Sequence, residues 1–184
     1  MHRTALWVNH LLCEEPVKPM VAIERVTLAE FKVVLPLLER FFAEEGFDIP
    51  RAQIGERLVE LIDASDSAVF LARLGESPVG VATVTTSTGI EFGLSAELED
   101  LYVVPKARGA GVGSALIGAV EGWCRSRGCS LVAVVVTPEG QAVHNLVDYY
   151  SGRGFQESGR TLLYAHLQPE RAEGTDDWEE TEAA

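Results

Sequence analysis

Three glycines within five residues, Gly109, Gly111 and Gly113, separate the apolar run Leu101-Tyr102-Val103-Val104 from a segment of helical periodicity. Glycine is the residue that lets consecutive amides turn toward one point, and a helix starting there adds four unpaired N–H groups and the positive end of its dipole. The segment therefore predicts a strand, a tight turn and a helix joined into an anion cradle large enough for a pyrophosphate. A unit of this kind places the chain among α/β folds.

Two common glycine-rich loops are excluded. A triphosphate-binding loop requires Lys-Ser or Lys-Thr after its last glycine, whereas Gly113 is followed by Ser114-Ala115. A dinucleotide fingerprint requires a third glycine where Ser114 stands and a carboxylate ending the next strand, and residues 132–137 supply none. What remains is Arg-x-x-Gly-x-Gly from Arg108 to Gly113, with Val103 five residues before the arginine. Further on, Tyr150-Ser151-Gly152-Arg153-Gly154-Phe155 has the form Tyr-x-x-x-Gly-Phe. With these two motifs in this order, the chain resembles the GNAT superfamily of acyl-CoA-dependent N-acyltransferases over residues 22–167.

The local signals mark out the elements. Residues 21–26 read as a strand, and Thr27-Leu28-Ala29-Glu30 has the pattern of a capping box opening a helix toward Glu45, with a bend expected at Pro36. A second helix follows Pro50, with Ile54, Leu58, Leu61 and Ile62 on one face. Residues 68–74 and 79–86 form an expected hairpin about Gly75-Glu76-Ser77-Pro78, and a loop near Gly89 leads to a strand over 97–104. A helix over 108–127, a strand over 131–136, a short helix ending near Gly152 and strands at 155–157 and 160–167 complete the expectation. The resemblance implies that these elements form a mixed, mostly antiparallel sheet with helices on both faces and a splay between the fourth and fifth strands. Residues 1–21 read as an N-terminal extension and 168–184 as an acidic, disordered tail.

The resemblance also assigns tasks. Acetyl-CoA would lie with its pantetheine arm against Leu101, Tyr102 and Val103, the Val103 amide facing the thioester oxygen. Its pyrophosphate would rest on Arg108, Gly109, Ala110, Gly111, Val112, Gly113 and Ser114, with Asn145 near the arm although its register is displaced from the family's asparagine. Tyr150 matches the tyrosine that protonates the departing thiolate, while Tyr149 is expected in the core. Glu97, Glu99 and Asp100 lie on the strand before the turn. Simple alternation groups Glu97 and Glu99 with Leu101 and Val103, and Asp100 with Tyr102. Glu99 or Asp100 is favoured as the base that deprotonates the amine, and ordinary solvated charges are the alternative.

The chain carries a net charge of −13, of which the last seventeen residues supply −6. Binding to nucleic acid through phosphate neutralisation is thereby disfavoured, and a polycationic acceptor is favoured. Cys13, Cys124 and Cys129 are odd in number and lack Cys-x-x-Cys spacing, so neither a disulfide framework nor a zinc site is implied, and a reducing cytoplasm is expected. No segment has the length and apolarity of a membrane span. The resemblance implies that the acceptor is met by the first two helices and the loop between the third and fourth strands, here Glu44, Glu45, Phe47 and Asp48 with residues 85–93 including Glu91. The expected activity is acetyl transfer to a primary amine of an aminoglycoside-type antibiotic by direct attack. Polyamines, amino acids, protein N-termini and a non-catalytic acyl-CoA-binding module are the alternatives, and the resemblance leaves a homodimer open.

Overall fold

The capping box forms as the sequence predicts in the computed structural model, which describes residues 20–163, 165 and 167. The Glu30 carboxylate accepts from the Thr27 amide at 2.8 Å, and Thr27 Oγ1 accepts from the Ala29 amide at 3.3 Å. One 3₁₀ turn, Leu28–Glu30, leads into α1 (Phe31–Glu44), which runs through Pro36 without a break, and α2 (Arg51–Asp63) follows. Val34, Leu35, Leu37 and Leu38 of α1 and Ile54 and Leu58 of α2 are buried, so the apolar spacing in each helix becomes one core-facing stripe.

Five strands form one sheet in the order β1 (Val21–Arg25), β2 (Ser67–Leu74), β3 (Ser77–Gly89), β4 (Gly93–Val103) and β5 (Val132–Val134). The first four are antiparallel and β5 is parallel to β4. Three further helices, α3 (Val112–Arg127), α4 (Pro138–His144) and α5 (Leu146–Ser151), occupy the second half. Helices cover both faces of the sheet. A Cβ on Gly80 would meet Val112 and Leu116 of α3, whereas Tyr102, opposite the adjacent Val81, packs its ring 6.0 Å from that of Phe41 on α1.

Several expected boundaries shift for identifiable reasons. The helix expected from residue 108 starts at Val112, because Gly109 and Gly111 adopt φ of +77° and +86°, which no helix accommodates. The loop expected over 85–93 is instead a long hairpin: β3 and β4 pair out to Gly89 and Gly93 and leave only Ile90, Glu91 and Phe92 in the turn. The strand expected over 131–136 keeps three residues, since Thr137 turns to cap α4 through its side chain. The helix expected before Gly152 is two helices, broken where Asn145 takes the left-handed conformation. Neither closing strand forms among the described residues: 155–163 pair with no strand, and Leu162 and Leu163 are exposed. The three-residue β5 offers little ladder for another strand to extend. Residues 1–19, 164, 166 and 168–184, which include Cys13 and nearly all of the expected extension and tail, lie outside the described residues.

Candidate active site

The sheet opens beside the glycine turn. Pairing between β4 and β5 covers only Ala96 to Val132, Glu97 to Ala133 and Leu98 to Val134, and β4 then continues to Val103 while β5 ends. The splay expected between the fourth and fifth strands is thus present. Val104 donates to Val79 of β3, so alternation along the strand directs the backbone groups of Leu101 and Val103 to the opposite, vacated edge. A cleft of about 750 Å³ occupies this gap. It is lined by Leu101, Tyr102 and Val103, by the turn residues Arg108, Gly109, Gly111, Val112, Gly113 and Ser114, and by Tyr149, Tyr150 and Arg153.

The turn fits an anionic group. The amides of Val112, Gly113 and Ser114 precede the first α3 bond, from Ala115 to the Gly111 carbonyl, and point out of the helix end. Nothing lies within 4 Å of where a Cβ would stand on Gly109 or Gly111, so the space above the turn is open. Gly113 is different. A Cβ there would lie 2.4 Å from the Tyr149 hydroxyl, and its hydrogen side chain makes room for that phenol. Ala110 belongs to the turn but does not line the cleft.

Arg108 ties the turn to α1. Its Nε donates to the Val103 carbonyl at 2.9 Å and its Nη2 to Glu44 Oε2 at 2.5 Å, while the Tyr102 hydroxyl donates to Glu44 Oε1 at 2.7 Å. Burial and the bonded carboxylate push the Tyr102 phenol up to about 12. Partial burial works against charge on Glu44, but Tyr102 and Arg108 outweigh it and hold the carboxyl below its usual range.

The acids of β4 are sorted by a β-bulge. Asp100 pairs with Thr83 and Leu98 with Val84, leaving Glu99 as the extra residue. The extra residue reverses the alternation, which corrects the grouping expected from sequence: Glu97, Asp100 and Tyr102 share the α1 face, opposite Thr85, Thr83 and Val81. Asp100 Oδ2 accepts from Thr83 Oγ1 at 2.5 Å, and that threonine is 0% exposed. Burial raises the Asp100 carboxyl above its ordinary value; the Thr83 hydroxyl opposes this and the Glu99 charge adds to it. Burial and then Glu99 raise Glu97 likewise. Glu99 itself is exposed and accepts from Thr85 Oγ1 at 2.5 Å. All three carboxylates line the cleft.

On the opposite wall, Tyr150 is 6% exposed and its ring packs edge-on against Tyr149 and Phe155 at centroid distances of 5.2 and 5.4 Å. Burial, with a smaller contribution from Tyr149, pushes its phenol up to about 12. The expectation for its neighbour is corrected: Tyr149 is half-buried and lines the cleft, because α5 presents both tyrosines toward the α3 end. Asn145 lies off the cleft wall. Its side chain accepts from Gln141 Nε2 at 3.0 Å and donates to Asp148 at 2.5 Å, serving the α4–α5 junction. Of the acceptor residues expected from sequence, Glu44, Glu45 and Phe47 line the cleft, Asp48 does not, and Glu91 pairs with Arg160 instead.

Sequence reasoning passed over Arg153 and Thr83, and His144, read from sequence as an ordinary surface histidine, is exposed but lines the cleft. Only Arg153 left a signal, four residues after Tyr149 and hence on the same side of a helical turn.

Residues 33–155 match the profile of the Acetyltransferase (GNAT) family. The chain belongs to that family. An aminoglycoside N(6')-acetyltransferase type 1 of Stenotrophomonas maltophilia is 32% identical over 114 residues, covering 59% of this chain and 72% of that protein. A namesake from Salmonella typhimurium is 30% identical over 112 residues, 57% of this chain and 73% of the relative. Among solved structures, an integron cassette protein from a salt-marsh metagenome superposes with a TM-score of 0.71 at 28% identity, over 80% of this chain and 91% of its own. An aminoglycoside N-acetyltransferase solved with CoA has a TM-score of 0.71 over 83% of this chain and 98% of its own. At 22% identity it shares the fold. The chain is accordingly a GNAT N-acetyltransferase, and the cleft at the splayed strands is its candidate active site.

Proposed function

We propose that this GNAT enzyme transfers an acetyl group from acetyl-CoA to a primary amine of a polycationic acceptor, an aminoglycoside-type antibiotic, and thereby confers resistance. The observation that supports this most is the convergence on one cleft of the glycine cradle, the vacated edge of β4, a half-buried carboxylate, a buried phenol and a rim bearing Glu44, Glu45 and Glu99. The names of the two bacterial relatives point to the same acceptor class. A cytoplasmic location accords with such a co-substrate.

Acetyl-CoA supplies an activated thioester carbonyl. The cradle amides hold its pyrophosphate, and the Leu101 and Val103 backbone groups align its arm along β4. Asp100 takes a proton from the attacking amine, directly or through water, and Glu97 and Glu99 hold the acceptor's other ammonium groups. When the carbon–sulfur bond breaks, the Tyr150 hydroxyl gives its proton to the sulfur. Burial raises the proton affinity of Asp100 and the Thr83 hydroxyl fixes its orientation, which favours it as the base.

A panel of aminoglycosides, polyamines, amino acids and peptides, each incubated with acetyl-CoA and followed by thiol release, tests the proposal. Turnover with aminoglycosides at higher kcat/KM than the other classes is expected, and loss of all turnover in Gly111→Asp. Turnover confined to another amine class would remove the antibiotic assignment; none with any amine would favour a binding module.

A further inference from the structure

The C-terminal end of α3 brings together two thiols that do not line the acetyl-transfer cleft. Gly128, just past the helix, takes a left-handed conformation with φ of +82°. Its amide donates to the Arg125 carbonyl at 3.1 Å, and the Cys129 amide donates to the Cys124 carbonyl at 3.0 Å. These two bonds close the helix in a Schellman motif, in which the side chain after the glycine packs against the one five positions earlier. Here both are cysteines, and both are free. One hydrogen bond between their own backbones also keeps the two Cα atoms within about 7 Å, the span that a disulfide bridges without backbone movement.

The two thiols differ in access. Cys124 is 2% exposed, whereas Cys129 is only partly buried, and both line a second cavity of about 760 Å³. Burial, and then the Cys129 thiol beside it, push the Cys124 thiol up to about 12, with Arg125 and Arg127 opposing. The buried sulfur therefore holds its proton and is slow to meet a dissolved oxidant, while its neighbour can be reached.

We propose that Cys124 and Cys129 form a peroxide-sensitive dithiol, a modification site apart from the cleft at which oxidation stops at a reversible intramolecular disulfide. The oxidant is hydrogen peroxide. The Cys129 sulfur attacks one peroxide oxygen, the O–O bond breaks, and the departing hydroxide leaves with the thiol proton as water, giving a sulfenic acid. The Cys124 sulfur then attacks the Cys129 sulfur. The S–S bond forms, the S–O bond breaks, and the hydroxyl leaves with the Cys124 proton as a second water. Peroxide is reduced by the two electrons that the thiols lose. In a reducing compartment such a bridge is transient, and Cys124, by resolving the sulfenic acid, spares Cys129 the irreversible steps to sulfinic and sulfonic acid.

The test exposes the full chain carrying Cys13→Ser, which leaves only this pair, to hydrogen peroxide and maps it by mass spectrometry after trypsin digestion without reduction. Trypsin cuts after Arg125 and Arg127, so the peptides bearing Cys124 and Cys129 stay together only through a disulfide. The expected product is the joined pair, two hydrogens lighter than the separate peptides, which dithiothreitol parts again. In Cys124→Ala, Cys129 is expected to stop at a sulfenic acid that dimedone traps, or without dimedone to pass to sulfinic acid. In Cys129→Ser, the Cys124 thiol is expected to survive a peroxide dose that converts the pair. Cys129 reaching sulfinic acid while Cys124 remains a thiol would overturn the proposal. So would a linkage that forms only in urea, or survival of both thiols at a dose that oxidises free cysteine. The mapping of the intact pair decides the matter even if Cys124→Ala does not fold.

Discussion

Asp100 and Tyr150 have both been pushed toward their protonated forms by burial, with opposite consequences for catalysis. A base must first lose its proton, so kcat/KM is expected to rise with pH through the elevated Asp100 pKa, giving an acidic limb above the ordinary carboxylate range. An acid must keep its proton, and a phenol at about 12 does so throughout the range in which the protein is studied, so Tyr150 should add no alkaline limb. For stability the sign is fixed by the same shift. A carboxyl whose folded pKa exceeds its unfolded value favours the native state at low pH and loses that advantage as pH rises through the folded value. Asp100→Asn should therefore raise the melting temperature near pH 7, with the gain vanishing below about pH 4, while lowering kcat by roughly 10² to 10⁴. A variant that keeps wild-type turnover would transfer the base to Glu97, Glu99 or water. Tyr150→Phe should lower kcat roughly tenfold to a thousandfold with little change in the affinity for acetyl-CoA, and unaltered kcat would make Tyr150 a packing residue.

At the scale of the elements, what could be seen in the sequence was what neighbouring residues determine among themselves. The Thr27 capping box, the left-handed Gly109 and Gly111 and the Tyr150 segment depend on local spacing, and each is found where it was expected. The bulge at Glu99 depends on how β4 meets β3, and nothing within β4 announces that Thr83 pairs with Asp100 while Val84 pairs with Leu98. That single extra residue decides which carboxylates share the α1 face. For the same reason Arg153 was overlooked, since its side chain is held by Ser114, thirty-nine residues away. Gly80 is a third such case, a glycine inside a strand whose purpose appears only in packing. A Cβ there would stand 2.8 Å from the Tyr102 carbonyl oxygen and little more than 3 Å from Val112 and Leu116. Gly80→Ala should destabilise the protein by about 1–3 kcal/mol, as overpacking does, by pressing α3 away from the sheet. Because α3 carries the cradle, CoA affinity should fall as well. An unchanged denaturation midpoint would mean that β4 yields at its free edge.

For the molecule as a whole, the charge is large, negative and unevenly used. The net −13 includes −6 on residues 168–184, and the cleft bears Glu44, Glu45, Glu97, Glu99 and Asp100. Arg108 neutralises Glu44 at close range, and Asp100 and Glu97 sit deeper in the cleft than the exposed Glu99, so Glu99 and Glu45 meet an approaching cation first. A multiply charged amine is drawn by this field before it makes contact, whereas a neutral or singly charged amine gains little from it. Added salt shortens the Debye length to about 10 Å at 0.1 M and to about 3 Å at 1 M, so long-range capture disappears while contacts inside the cleft persist. The expected outcome is a kcat/KM for a polycationic aminoglycoside that falls steeply across this range, with kcat nearly constant and a monoamine hardly affected. Removing residues 168–184 separates the sources: an unchanged salt slope assigns the attraction to the cleft, and a flattened slope assigns it to the tail. Glu45→Lys with Glu99→Lys should flatten the slope if the cleft is responsible. Indifference of the polycation to salt, to truncation and to charge reversal would exclude electrostatic capture and turn the choice of acceptor toward peptides or amino acids.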